Sequence, residues 1–136
     1  MNRAGDLSGR WHGFYTYATG RSCAFDADLR DHGGELVGVT FEVADFGPSP
    51  GSTLSAAIEG RRRGQAVDFA KTYDEVAVAG YAILYAGTLA DGGDEIQGTW
   101  SIPGHAQSGT FLMVREGGAE AGEEALAAAA LPQPTR

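Results

Sequence analysis

At 136 residues and 43% apolar content, the chain is long enough for one domain with its own core and too short for a comfortable second. Ten basic residues against eighteen acidic ones leave a net charge of −8, and the one concentrated positive feature is Arg61-Arg62-Arg63, so nucleic acid, which needs a basic stripe to displace counterions, is not expected as a partner. No apolar run nears the roughly 20 residues of a membrane span, Met1 to Asp6 lacks a signal-like stretch, and the lone Cys23 can form no internal disulfide; a cytoplasmic protein with no membrane partner is expected.

After an N-terminal extension over residues 1–6, strand signals recur as short runs rich in Val, Ile, Phe and Tyr, punctuated by glycine. The runs are Gly9 to Tyr17, Ala24 to Arg30, Glu35 to Val43, Thr53 to Glu59, Ala66 to Tyr73, Tyr81 to Leu89, Glu95 to Ile102 and Gly109 to Arg115. Their connections alternate in length. Asp31-His32-Gly33-Gly34, Arg61-Arg62-Arg63-Gly64 and Asp91-Gly92-Gly93-Asp94 are short turns that can supply positive φ, and they close one end. The longer stretches 45–52, 74–80 and 103–108, with 18–22, fall at the other end, the expected mouth. An open meander of eight strands would leave two edges free to aggregate, so the expected fold is an all-β, eight-stranded antiparallel up-and-down β-barrel over residues 7–115. The Ala/Glu-rich tail, 116–136, has helix formers but few large apolar anchors, and reads as flexible or marginally helical.

Gly9-Arg10-Trp11 on the first strand, with Arg115 ending the last, resembles the Gly-x-Trp and late-cation pairing of the calycin superfamily, which includes lipocalins and avidins. That resemblance implies that Trp11 plugs the closed end and Arg115 packs across it. Ser8-Gly9-Arg10-Trp11, Glu35-Leu36-Val37-Gly38, Tyr85-Ala86-Gly87 and Thr99-Trp100 are more similar to avidins than to lipocalins. The biotin-binding places are not kept: Gly13 follows Trp11 by two residues, Phe69 stands where avidins have a tryptophan, 103–108 contains none, and Gly109 offers no carboxylate. Trp100 is the aromatic carried over. The resemblance therefore implies a concave barrel, open to a homo-oligomer through its outer face, rather than a biotin site.

Strand side chains alternate between lumen and solvent. Trp11 inward brings Gly13, Tyr15 and Tyr17 with it; Phe25, Ala27 and Leu29 turn inward on the second strand, and Asp26, Asp28 and Arg30 outward. The third strand has two readings. Hydrophobicity turns Val37, Val39, Phe41 and Val43 inward, as a single subunit would require. The avidin-like alignment turns in Leu36, Gly38, Thr40 and Glu42, as a subunit whose outer face is covered would allow. The fifth strand sends Val67, Phe69, Lys71 and Tyr73 inward together, the sixth Tyr81, Ile83 and Tyr85, the seventh Ile96, Trp100 and Ile102, the eighth Phe111, Met113 and Arg115.

Lys71 is the only lysine of the protein. A desolvated ammonium must meet an anion, lose its proton or escape to the rim, and Glu42 and Asp74 are the acids within reach of these options. Small lumen residues, Gly13, Ala27, Ala56 and Gly87, are expected to leave volume unfilled. The three histidines fall on different parts of the barrel and no phosphate loop or nucleophile elbow occurs, so neither a metal nor a cofactor is expected. The function drawn is the binding of a small apolar or aromatic molecule with an acidic or carbonyl group, at Tyr15, Phe69, Lys71, Tyr73, Tyr85 and Trp100. Two alternatives stand beside it: a cofactor-free cyclase or isomerase with Lys71 or Tyr73 as the catalytic acid or base, and a filled barrel serving protein interaction.

Overall fold

A computed structural model describes residues 6–43, 51, 53–74 and 82–117. Eight strands run in chain order: β1 (Gly9–Tyr17), β2 (Ser22–His32), β3 (Glu35–Val43), β4 (Thr53–Arg63), β5 (Ala66–Tyr73), β6 (Ala82–Leu89), β7 (Glu95–Ser101) and β8 (Ser108–Arg115). Each pairs antiparallel with its neighbours, and β8 pairs back onto β1 from Trp11↔Arg115 to Tyr17↔Gly109, which closes the barrel. The β2–β3 hairpin turns on Gly33 and Gly34, both at positive φ (64° and 104°), the left-handed conformations that a tight hairpin of this hand requires. No helix occurs among the described residues. The expected tail lies outside them beyond Gly117, as do most of 45–52 and 74–80 and the inward Tyr81.

The lumen is sorted by chemistry along its axis. At the closed end, Leu7, Trp11, Leu29, Leu36, Ile58, Val67, Leu89, Ile96 and Met113 are buried to within 2% exposure. The Arg115 guanidinium lies 4.6 Å from the centroid of the Trp11 ring and donates to the carbonyls of Asp6, Ser8 and Gly93, while Trp11 Nε1 donates to Leu7 O at 2.9 Å. Seating the cation on a ring face with its N–H groups spent on carbonyls lets this end close over a charge. Toward the mouth the core turns aromatic.

Two sequence expectations are corrected here. On β3, Leu36, Thr40 and Glu42 are buried, whereas Val37, Val39, Phe41 and Val43 are 40 to 66% exposed. The neighbours impose this parity: Thr40 stands opposite inward Ala27 and Ala56, and Gly38 opposite inward Leu29 and Ile58, and antiparallel partners share a face. A side chain at Gly38 would meet the Asp28 carbonyl oxygen and crowd Leu29, so a run of bulky residues has no room on that line. The second correction concerns Arg61-Arg62-Arg63, read as a turn, which extends β4. Arg62 Nε donates to Asp31 Oδ2 at 2.8 Å, and the side chain of Asp31 is only 1% exposed. The same carboxylate accepts from the backbone N–H of Leu7 (2.9 Å) and Gly34 (2.8 Å), tying the segment before β1, the β2–β3 hairpin and β4 together.

Candidate functional site

The mouth half of the lumen holds one polar cluster inside an aromatic wall. Alternation along β5 sends Lys71 inward, where it is 0% exposed. Its Nζ donates to Glu42 Oε1 at 2.7 Å. Tyr15 donates its hydroxyl to Glu42 Oε2 at 2.6 Å, and Tyr73 donates to Oε1 at 3.1 Å. Both Glu42 oxygens are thus satisfied by three donors from two strands, β1 and β5, a condition a buried ion pair must meet if desolvation is not to outweigh attraction. Lys71 therefore pairs with Glu42, and neither reaches the rim nor uses Asp74, whose carboxylate accepts from Ser55 Oγ.

The ammonium is also ringed by π faces: Phe25 at 4.6 Å, Tyr15 at 4.7 Å, Tyr73 at 5.0 Å and Tyr85 at 5.8 Å from the ring centroids. Each such contact adds stabilisation that grows as water is removed. Behind this shell Phe69 stacks on Tyr85 at 4.8 Å, Phe111 meets Tyr85 edge-on at 4.9 Å, and Trp100 meets Tyr15 edge-on at 6.1 Å. Trp100 Nε1 donates to Thr16 O at 3.2 Å.

Burial lowers the proton affinity of Lys71, and the Glu42 carboxylate pulls it back up. Burial, reinforced by the Glu42 carboxylate, pushes the Tyr15 hydroxyl far above the ordinary phenol range, and burial with Glu42 does the same to Tyr73. Both phenols consequently stay protonated donors at any working pH. Tyr85 is raised in the same way, by burial first, yet its hydroxyl has no hydrogen-bond partner among the described residues, and neither does the buried hydroxyl of Thr40.

All six residues singled out for ligand contact fall in one connected cluster that spans the lumen from β1 to β5, β6 and β7. Tyr15, Lys71 and Tyr73 meet directly on Glu42; Tyr85 joins through its ring face, Phe69 through the stack on Tyr85 and Trp100 through its edge contact with Tyr15. Sequence reasoning did not single out Phe25, and it left Glu42 conditional on the parity of β3. The available signal was Lys71 itself: an inward cation demands an inward anion, and the acid that answers it is Glu42 on β3, two strands away across the lumen.

Two of the small lumen residues do not leave space as expected. A side chain at Gly13 would strike the ring of Phe25, and one at Gly87 would come within 2.9 Å of Phe111 Cζ, so neighbouring rings occupy both positions. On the outside, a shallow groove of about 700 Å³ crosses β3 to β6 between Val37, Ala70 and Leu84, flanked by Glu59, Arg61 and Asp68; Lys71 does not line it. Among the described residues no three His, Cys, Asp or Glu side chains are placed to hold a metal ion.

No family model matches the sequence, and no curated protein does. Among solved structures, a redesigned β-barrel superposes with a TM-score of 0.65 at 14% identity, over 80% of this chain and 90% of that one. A de novo designed fluorescence-activating β-barrel superposes with a TM-score of 0.58 at 11% identity, over 85% of this chain and 99% of that one. At such identities the likeness shows the fold alone: a closed eight-stranded antiparallel barrel.

Proposed function

We propose that the barrel binds a small apolar or aromatic molecule bearing an acidic or carbonyl group, with that group facing Lys71 and the remainder enclosed by Tyr15, Phe69, Tyr73, Tyr85 and Trp100. The observation that carries this reading is the coincidence of a fully buried Lys71–Glu42 pair with buried Tyr85 and Thr40 hydroxyls that have no partner among the described residues. An unpaired buried hydroxyl costs roughly 1–3 kcal/mol, which a polar ligand atom would recover. The cation stacked on Trp11 at the closed end supports a calycin-like arrangement in which one end is plugged and the other receives the ligand. That one of the similar designed barrels is described as fluorescence-activating fits a lumen that can take a guest. The test is native mass spectrometry of the purified protein, followed by thermal melting against a set of aromatic acids and aldehydes. A co-purified mass lost on unfolding, or a ligand-dependent rise in Tm that Lys71→Met removes, is expected. The absence of both overturns the reading.

Two alternatives rest on specific observations. Tyr15, Glu42, Lys71 and Tyr73 form a connected proton-bearing network, the equipment of a cofactor-free isomerase or cyclase; turnover lost in Tyr73→Phe with binding kept would favour it. The rings seated on Gly13 and Gly87 favour a filled barrel, for which the double variant Glu42→Gln with Lys71→Met, which removes both buried charges, leaves ligand response nil and stability equal or higher.

We also infer that two copies associate through the outer face of β3. Four of the five exposed large apolar side chains among the described residues, Val37, Val39, Phe41 and Val43, form one stripe there. Asp26 and Asp28 are exposed on the β2 side, and Arg61 and Arg63 on the β4 side. Each copy thereby carries both halves of a complementary charge pair around an apolar centre, the self-matching pattern of a two-fold interface.

A further inference from the structure

Resting on that reading and narrowing it, we infer that Lys71 captures an aldehyde or ketone covalently, its Nζ bonding to the carbonyl carbon as a protonated imine with Glu42 as counter-ion. Three observations converge. The site already sets one carboxylate against Lys71 at 2.7 Å, so an acidic ligand would place a second anion beside Glu42 for a single cation, whereas a carbonyl adds no charge. An imine also keeps one N–H on the cationic nitrogen, so the hydrogen bond to Glu42 survives capture. Finally, the surrounding faces of Phe25, Tyr15, Tyr73 and Tyr85 suit a delocalised cation as well as they suit an ammonium.

The choice of side chain points the same way. For holding a carboxylate in an apolar core, the planar fork of arginine is the better group, and this chain uses arginine for its structural pairs, Arg62 with Asp31 and Arg115 at the closed end. With nine of its ten positions for Lys or Arg filled by arginine, the protein places its one lysine in the lumen. What lysine offers there and arginine does not is a nitrogen that gives up its proton when desolvated and then acts as a nucleophile.

The step balances within the cluster. Lys71 passes one proton to Glu42, and the neutral amine adds its lone pair to the carbonyl carbon. The π pair moves to the carbonyl oxygen, which takes a proton from the network. The nitrogen then gives one proton to Glu42, which frees its lone pair, and Glu42 passes that proton to the hydroxyl; the carbinolamine breaks its C–O bond as the lone pair forms C=N, and the oxygen leaves as water. An ammonium and a carbonyl thus become an N-protonated imine and one water, with Glu42 a carboxylate at both ends. Tyr15 and Tyr73, held as donors to Glu42, stand where they can relay the proton.

The test exploits the presence of only two primary amines, Lys71 and the α-amino group. The full-length protein is treated separately with cinnamaldehyde and decanal in the presence of cyanoborohydride, and the adduct is located by peptide mass mapping. Trapping adds the mass of the aldehyde less one oxygen. The expected result is labelling of Lys71 in the folded protein by at least one aldehyde, roughly tenfold or more faster than the α-amine, with the preference lost in urea. In Lys71→Arg, which keeps the charge, only the α-amine label remains and reports that the reagent is active. Labelling of Lys71 in urea alone, with the α-amine labelled throughout, overturns the imine. If the aldehydes nevertheless raise Tm in that event, reversible binding stands; if they do not, and the wider ligand set also fails, the binding reading falls with it.

Discussion

Lys71 and Glu42 are each tolerable in the lumen only because of the other. Replacing Glu42 by Gln leaves the ammonium without its anion, and a loss of about 3–5 kcal/mol in urea unfolding is expected. Combining Glu42→Gln with Lys71→Met removes both charges and restores most of that loss, so the double-mutant cycle reads a large coupling. Additive effects would show that the two groups do not share a buried environment. Asp31 offers a pH-dependent counterpart. Burial raises its carboxyl, but the Arg62 guanidinium and the N–H groups of Leu7 and Gly34 outweigh burial and hold it below its ordinary value of 3.8. Because the folded value is the lower one, its contribution is fully present above that ordinary value and is lost as pH falls through the depressed range. The urea midpoint of the native protein should therefore drop between about pH 5 and about pH 2 by more than that of Asp31→Asn, which lacks this titration. Equal drops would assign acid sensitivity to other carboxylates. Neither residue's role could be read locally: Asp31 sits in what looks like an ordinary Asp-His-Gly-Gly turn, and its partner Arg62 in what looks like a charged one.

At the scale of strands, sequence pattern read well wherever one face is apolar and the other charged. On β2, Phe25, Ala27 and Leu29 alternate with Asp26, Asp28 and Arg30, and on β5 Asp68 marks the outward side; both elements and their inward residues are as expected. Bounds for β1, β3 and β5 were legible to the residue, because glycine or charge punctuates both ends. On β3 the extent was right and the hydrophobic reading of its facing failed, whereas the parity of the avidin-like alignment, with Leu36, Thr40 and Glu42 inward, is the one observed. Hydrophobicity reports which face avoids water, and here the valine-bearing face is the outer one, while Thr40 and Glu42 are held inward by the register of β2 and β4. Curvature depends on a different set of residues. A side chain at Gly60 would run into the Asp68 carbonyl oxygen and Phe69, and one at Gly98 into the Ala86 carbonyl oxygen, where strands approach too closely for a Cβ. Gly60→Ala is accordingly expected to lose more than about 2 kcal/mol in denaturant unfolding, because backbone must move. Gly13→Ala should cost less, since only the ring of Phe25 stands in the way and a side chain can turn. The reverse order would mean that the lumen rings are more rigidly held than the strands.

For the whole molecule, closure through β1 and β8 removes both sheet edges, so association by strand addition is blocked, and the exposed β3 stripe holds four of the five exposed large apolar side chains among the described residues. Phe41→Lys, placed at the 49% exposed ring, should shift a dimer to a monomer in sedimentation velocity at micromolar protein with little change in Tm. A monomer in the native protein at the same concentration would overturn the inferred interface. The pairing of Trp11 with Arg115 has one more result: the two ends of the barrel lie side by side at the plugged end, next to the hairpins. Chain order is then not essential to the architecture. A circular permutant that joins Gly117 to Asp6 by a short glycine linker and begins instead at Gln65, in the β4–β5 turn, severs no ladder hydrogen bond that the barrel needs, and should refold to the same far-UV spectrum with its mouth intact. The barrel is, in that sense, a ring whose starting point is a matter of where translation happens to begin.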